Sequence, residues 1–449
     1  MGHLVEKVSD HLFLLVGNNP LPNFIAAHRL AKQESFLHLI YTDQTHQYAL
    51  NLQDLFTSVL HFDHSHINLK RLETPTDQSG IHTCLDQYLK SNVLSEGSVG
   101  LNYTGGMKPM SVHIYEFLKD WCVQNRRPFI HSYIDPIYYS IRFSHGMKYP
   151  IDISECQVSM ENLLSLHNRI MTSVKSEVLF PIFSKEIALF VSDPVNMNNL
   201  RNWCDKYVRT ACPKELKNYL KPLLEEVKLD SNNQTLDLNE IIERMKRWIT
   251  KESIGIKTEI IPNQDDDLTN LVQIETIGQI GLTLLKCDQI PNEEIHSWKI
   301  KNIGDSLRRF LDSNWLENYV FDCLQQISED CKIHEIKRNI YIKNADPKKQ
   351  SRDFEFDVAA VQGYRLYAFS CSTSMDRGLV KVKLFEAFSR AQQMGGDEAR
   401  VALVSGYPQP DDLLEEINES WMASRNKIKV FGPQDFSNLC NKFKKWFNS

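Results

Sequence analysis

Leu101-Asn102-Tyr103-Thr104-Gly105-Gly106-Met107-Lys108-Pro109-Met110-Ser111 reads as a buried strand that opens into a glycine turn at the head of a helix. Val99 to Tyr103 supplies the strand, and Pro109 to Leu118 the helix. Between them Thr104 offers a hydroxyl, while Gly105 and Gly106 let the backbone come close to a ligand. The first N–H groups of the helix have no partners within it, which favours an anion, and Lys108 would supply the countercharge. A Gly-Gly turn followed by Lys is also what an ordinary strand-to-helix connection looks like, so its context decides. Upstream, Leu12 to Val16 is an apolar run closed by Gly17-Asn18-Asn19-Pro20-Leu21-Pro22-Asn23. Phe24, Ile25, Ala27, His28 and Leu30 follow as a helical stripe, and Phe36 to Tyr41 is a second buried run. Strand, helix and strand in this order predict a parallel sheet. Its ligands sit at the carboxyl ends of the strands, so the Asn-rich turn and the Thr-Gly-Gly turn are expected on one rim.

An N-terminal strand ending in an Asn/Pro turn, with a later Asn-Tyr-Thr-Gly-Gly-Met-Lys-Pro-Met from Asn102 to Met110, resembles the CARF domains, the Rossmann-like sensors of CRISPR systems. The resemblance implies a homodimer that holds a cyclic oligoadenylate, commonly the tetra-adenylate, across its two-fold axis. It also implies that Asn18, Asn19, Thr104, Gly105, Gly106, Met107 and Lys108 line the ligand site. The first turn lacks the spaced Gly-x-Gly-x-x-Gly pattern, which argues against NAD or FAD.

With 449 residues, 42% of them apolar and 24% charged, the chain has the composition of a globular protein of two or three domains. No apolar run approaches the roughly 20 residues of a membrane span, and Met1 to Lys7 has no signal-peptide pattern, so a cytoplasmic location is expected. The ten cysteines are scattered without a Cys-x-x-Cys pair, which indicates neither a zinc site nor a disulfide framework. A net charge of -6 disfavours coating of nucleic acid by bulk electrostatics. The basic clusters Lys119 to Arg127, Lys214 to Lys221, Arg244 to Lys251 and Lys442 to Lys445 read as solvated helix faces. Asp265-Asp266-Asp267 and the His61 to His66 run, with His64, His66 and Asp63, read as solvated surface before they read as metal ligands.

Residues 1–150 are expected to form the Rossmann-like domain. Near Ile151 the pattern turns helical, with candidate helices over Met160 to Val174, Asn198 to Thr210, Glu215 to Val227 and Leu238 to Ile249. Residues 151–300 are therefore expected to be a mainly helical linker or winged-helix-like region. Residues 301–449 return to an α/β pattern. A helix with Leu316, Tyr319, Val320 and Leu324 on its stripe carries Glu317 beside it. Then come Ile340 to Ile342, Phe354 to Val361, a turn at Gln362-Gly363, Leu366 to Cys371, a helix from Lys381 to about Gln393, and a last strand from Val401 to Ser405.

This order, with Trp315-Leu316-Glu317 and Glu355-Phe356-Asp357-Val358, resembles the PD-(D/E)XK restriction-endonuclease-like core attached to CARF sensors. The resemblance implies that Glu317 and Asp357 hold Mg²⁺ or Mn²⁺ at a scissile phosphate, with Glu355 nearby. Where the family carries Glu-Cys-Lys-Thr, this chain reads Ser370-Cys371-Ser372-Thr373, so a carboxylate and the lysine are both replaced by hydroxyls. Lys381 or Lys383 on the next helix could replace the lysine, and Glu355 or Glu386 the carboxylate. The expected function is a metal-dependent nuclease for RNA or single-stranded DNA, activated by cyclic oligoadenylate in type III CRISPR defence. The alternatives are a catalytically degenerate sensor, a ligand-controlled transcription regulator, and a ring nuclease that cleaves its own activator.

Overall fold

The computed structural model describes residues 9–91, 96–135, 140–174, 181–212, 214–216, 218, 303–346, 353–421 and 426–449. Its first sheet contains β1 (Ser9–Leu15), β2 (Ala31–Tyr41), β3 (Ile67–Arg71), β4 (Val99–Asn102), β5 (Phe129–Asp135), β6 (Ser140–Phe143) and β7 (Lys148–Pro150). The strand order is β3-β2-β1-β4-β5-β6-β7. The first five strands run parallel, and β6 and β7 extend one edge antiparallel. Parallel neighbours need crossovers, and the helices Leu21–Leu30, His46–Ser58, Gln78–Ser91 and Lys108–Gln124 provide them on both faces. Two-sided burial explains the continuous apolar run of β1, in which Leu12 to Leu15 are all buried.

β1 lies between β2 and β4, so the chain winds outward from it in two directions. The turns after β1 and β4 must therefore diverge from a common crevice, which is where open α/β sheets bind ligands. Backbone contact between the two turns accounts for their glycines. A Cβ on Gly17 would come within 2.8 Å of the Gly106 nitrogen, and one on Gly105 within 2.0 Å of the Leu15 carbonyl oxygen.

The second sheet contains β8 (Arg169–Val174), β9 (Ile333–Asn344), β10 (Phe354–Gln362), β11 (Arg365–Ser372), β12 (Arg400–Ser405) and β13 (Ile428–Phe431), in the order β13-β12-β11-β10-β9-β8. β10 and β11 form the hairpin read at Gln362-Gly363, with Gly363 at φ 63°. β11, β12 and β13 are parallel, so the chain recrosses the sheet through the helices Arg377–Gly395 and Pro410–Trp421. The first of these starts at the carboxyl end of β11 and runs back to the amino end of its parallel neighbour β12. Val380, Leu384, Ala387, Ala391 and Met394 form its buried stripe. Asp376 caps its start by accepting from the Leu379 N–H at 2.8 Å, and Gly396, at φ 61°, stops it.

The helix expected over Met160 to Val174 is two elements. The helix Met160–Leu166 stops where Asn168 takes φ 58°, and Arg169–Val174 becomes a strand on the edge of β9. Ile170, Thr172 and Val174 alternate there, a β-branched pattern that suits an edge strand better than a helix. The helix expected over Asn198 to Thr210 runs Pro194–Trp203 and continues as a π turn, Cys204–Val208. The candidate helix Leu238 to Ile249 and the acidic triplet lie outside the described residues, as does nearly all of Glu215 to Val227. Further along the middle region, Phe183, Ile187, Met197 and Leu200 share a core with Trp315 and Leu316.

The two sheets also share a core. Leu12, Leu14, Phe24 and Phe56 of the first domain belong to one buried cluster with Leu163, Phe356, Val380, Leu384 and Ala391. The segment between the sheets is pinned on both sides. Asn51 donates to the Ser165 carbonyl at 2.7 Å and Arg29 pairs with Glu155, while the Val158 N–H donates to the Gly363 carbonyl at 2.9 Å and the Met160 N–H to Glu335 at 2.6 Å.

Candidate functional site

The crevice between β1 and β4 holds a cavity of about 460 Å³. Gly17, Asn18 and Asn19 enter it from the first turn, Thr104, Gly105 and Gly106 from the second, and Ile134 from the end of β5. The Thr104 hydroxyl is already engaged: it donates to Asn102 Oδ1 at 2.7 Å and accepts from the Ile134 N–H at 2.7 Å. Thr104 thus shapes the turn through its hydroxyl. Met107 and Lys108 follow the lining residues directly and are exposed at the start of the Lys108–Gln124 helix, outside the cavity wall. The other wall was not read from the sequence. Gln392, Gly396, Asp397 and Glu398, at the far end of the helix Arg377–Gly395 and just beyond it, complete the cavity. Asn19 packs against Gly396 so closely that a Cβ there would meet its side chain at 2.3 Å. Asn19 Oδ1 also accepts from the Leu21 N–H at 3.3 Å and lies 3.3 Å from His167 Nε2.

At the other end of the same helix lies an acidic cluster. Glu317 is buried on the helix Trp315–Ile327, directly after a π turn, and Asp357 and Glu355 project from β10. Burial and the neighbouring Asp357 charge push the Glu317 carboxyl up to about 7. Asp357 is raised as well, chiefly by burial, although the Cys371 N–H donates to it at 2.6 Å and the Lys383 ammonium favours its ionised form. Asn339 ties the acids together, donating to Glu317 at 2.9 Å and to Glu355 at 3.3 Å. It does so from φ 46°, a left-handed conformation that Asn tolerates, and the β9–β10 register skips Asp357 there. The only hint of this in the sequence is an Asn inside an otherwise strand-like run. Burial, with a hydrogen bond to Glu355 beside it, lifts the Tyr341 phenol to about 12.

Of the two lysines considered for the missing position, the structure brings in one. Lys383 Nζ reaches the Cys371 carbonyl at 3.3 Å, beside Asp357. Lys381 instead pairs with Glu416 on the helix Pro410–Trp421 and does not enter the cluster. Ser370 Oγ lies 3.5 Å from Asp357, whereas the Ser372 hydroxyl accepts from the Ser374 N–H at 3.3 Å and serves the turn after β11. Glu386 is exposed on the helix surface. Among the described residues, no three His, Cys, Asp or Glu side chains come close enough to hold a metal ion by themselves. The donor set suits a hard cation that takes one or two carboxylates and fills its shell with water and phosphate oxygens, as Mg²⁺ does. The upward shift of Glu317 marks negative charge that such a cation would offset. The nine described cysteines are free thiols, and no described helix is long and apolar enough to cross a membrane.

A doubly wound domain with a rim cavity at its switch point, joined through a continuous core to a sheet bearing a Glu/Asp cluster, defines a Rossmann-like sensor coupled to a restriction-endonuclease-like domain. Residues 12–139 match the Card1 CARF domain, and residues 304–449 match the Card1-like endonuclease domain. The chain is thus a CARF-domain protein carrying a Card1-like endonuclease domain. Two solved structures share the fold over nearly the whole chain. Can2 from Sulfobacillus thermosulfidooxidans, determined with cyclic tetra-adenylate, is 17% identical with a TM-score of 0.57, covering 98% of this chain and 97% of its own. Protein VC1899 from Vibrio cholerae is 14% identical with a TM-score of 0.58, covering 98% of each chain. No curated protein matches the sequence.

Proposed function

We propose that the chain is a nuclease activated by a cyclic oligoadenylate, cyclic tetra-adenylate foremost, that cuts RNA or single-stranded DNA with Mg²⁺ or Mn²⁺ in type III CRISPR defence, as a cytoplasmic homodimer. One observation carries this reading: the helix Arg377–Gly395 presents Lys383 to the acidic cluster and Gln392 to the sensor cavity. At about 1.5 Å of rise per residue, roughly 14 Å of helix separates these two side chains. A ligand that fits one arrangement of the cavity wall better than another biases the position of the whole helix, and with it Lys383. Met107 and Tyr133 are exposed next to the cavity residues Gly106 and Ile134, which supports a second copy covering this rim.

In this reading Glu317 and Asp357 hold the cation. When bound, the cation polarises the scissile phosphate and lowers the pKa of the attacking water. Asn339 fixes the Glu317 carboxylate, and the Cys371 N–H fixes that of Asp357. Lys383 takes the part of the lysine absent at Ser372, neutralising charge that develops on the phosphate. Cleavage of labelled single-stranded RNA and DNA, with Mg²⁺ or Mn²⁺ and with or without cyclic tetra-adenylate, tests the proposal. Cutting is expected only when metal and ligand are both present, and Asp357→Ala should abolish it. The second reading, a sensor with a degenerate nuclease fold, draws on Ser370 and Ser372 standing in place of Glu and Lys. Ligand binding without cutting under either metal would establish that reading instead.

A further inference from the structure

The cavity at the switch point is built asymmetrically. One side offers backbone amides and small residues, Gly105 and Gly106 at the mouth of a helix, which suit phosphate. The other side carries two carboxyl groups, Asp397 and Glu398, which repel it. Glu398 is 4% exposed and lines the cavity, and Arg365, Arg400 and Lys427 act on its carboxyl as charges. A buried carboxyl that faces a cavity is placed to hydrogen-bond a ligand group that enters it. We propose that the endonuclease domain reads the bases of the ligand: Glu398, together with Gln392, takes the exocyclic amine of an adenine whose phosphate lies against Gly105 and Gly106.

This inference rests on the sensor reading above and adds to it the group that selects adenine. Burial pushes Glu398 up to about 7, against the pull of Arg365 and Lys427. A protonated carboxyl matches an adenine edge twice, its carbonyl oxygen accepting from the amine and its hydroxyl donating to a ring nitrogen. A glutamine amide offers the same donor and acceptor pair, as it does in its bidentate contacts with adenine elsewhere. The charged groups that face Glu398 are Arg365 on β11, Arg400 on β12, Lys427 before β13 and the adjacent Asp397. As pH rises from 6 to 8 the hydroxyl donor is lost and a negative charge appears beside the phosphates, so binding should weaken.

Calorimetric titration of the full chain with cyclic tetra-adenylate, and with the same ring built from purine riboside, which lacks the exocyclic amine, tests the inference. The wild type should prefer the adenylate ring by about 10-fold or more, the size expected when a buried acceptor loses its donor. Glu398→Ala should erase that preference while still binding through the phosphates. Glu398→Gln should keep it and remove the pH dependence. Gln392 is exposed, so Gln392→Ala leaves the fold intact and should narrow the preference several-fold. Undiminished preference for the amine in both alanine variants would overturn the inference and leave the sensor reading standing. Failure of the wild type to bind cyclic tetra-adenylate would overturn both.

Discussion

Lys381 and Lys383 stand two positions apart on one helix, and their partners separate their roles. Lys381 is held by Glu416 on a neighbouring helix, while Lys383 lies over the Cys371 carbonyl beside Asp357. Lys383→Ala is therefore expected to lower metal-dependent cleavage by about 10²- to 10³-fold, as removal of a group that stabilises transition-state charge commonly does. Lys381→Ala should leave the rate within a few-fold of the wild type in the same single-turnover assay. Gly396 is the second informative residue. Its φ of 61° with ψ of -153° belongs to glycine, and a Cβ would meet Asn19 at 2.3 Å. Gly396→Ala should cost about 1–3 kcal/mol, read as a fall in the denaturant midpoint, and should also weaken cyclic tetra-adenylate binding by displacing Asn19 from the cavity. The sequence narrows the replacement lysine to Lys381 or Lys383 without choosing between them, and Gly395-Gly396 reads there only as a helix stop. What selects them is a partner distant in the chain.

At the scale of elements, β1 and β2 enclose a buried line of rings. His11 Nδ1 lies 3.3 Å from His38 Nε2, and His38 Nδ1 lies 2.8 Å from the Tyr88 hydroxyl. Burial, with His11 beside it, depresses His38 to about 3, and burial depresses His167 to about 4. Both imidazoles stay neutral in the folded chain while the unfolded chain protonates them below about 6.5, so stability is lost as pH falls from there. At pH 5 each costs about 2 kcal/mol relative to neutral pH, at about 1.36 kcal/mol per unit. His38→Phe should shrink the difference in unfolding free energy between pH 7.5 and pH 5 by about that amount, and an unchanged difference would contradict the assignment. The strands themselves were legible from sequence, because parallel strands buried on both faces leave apolar runs between turn residues. β1, β2, β4 and the β10–β11 hairpin fall where Leu12 to Val16, Phe36 to Tyr41, Val99 to Tyr103 and Phe354 to Cys371 predicted them. β8 was not legible. Arg169–Val174 is short, exposed on an edge and recruited by β9 from far along the chain, so local periodicity carried no sign of its partner.

Across the whole molecule, the shared core matters more than the division into domains. Phe24 and Leu14 on the sensor side belong to one buried cluster with Leu384 and Ala391 on the endonuclease side, and Asn51, Arg29, Gly363 and Glu335 pin the segment between them. The described residues are thus expected to unfold in one cooperative step rather than two. A sensor ligand at 100 times its Kd would raise the unfolding free energy of that step by about 2.7 kcal/mol, and calorimetry with and without cyclic tetra-adenylate reads both effects. Two transitions, only one of them moved by ligand, would show the sheets to be independent. The sensor rim was readable because both its turns carry Asn, Thr and Gly in local patterns. Its opposite wall, Gln392 to Glu398, was not, since it comes from the other domain. The claim that joins these scales is that one helix links the ligand cavity to Lys383, and the rate of single-stranded RNA and DNA cleavage with Mn²⁺ tests it most directly. The account predicts that cyclic tetra-adenylate accelerates cutting in the wild type and Lys381→Ala, and that Lys383→Ala binds the ligand normally yet cuts about 10²- to 10³-fold more slowly. Ligand-stimulated cutting at the wild-type rate in Lys383→Ala would contradict it.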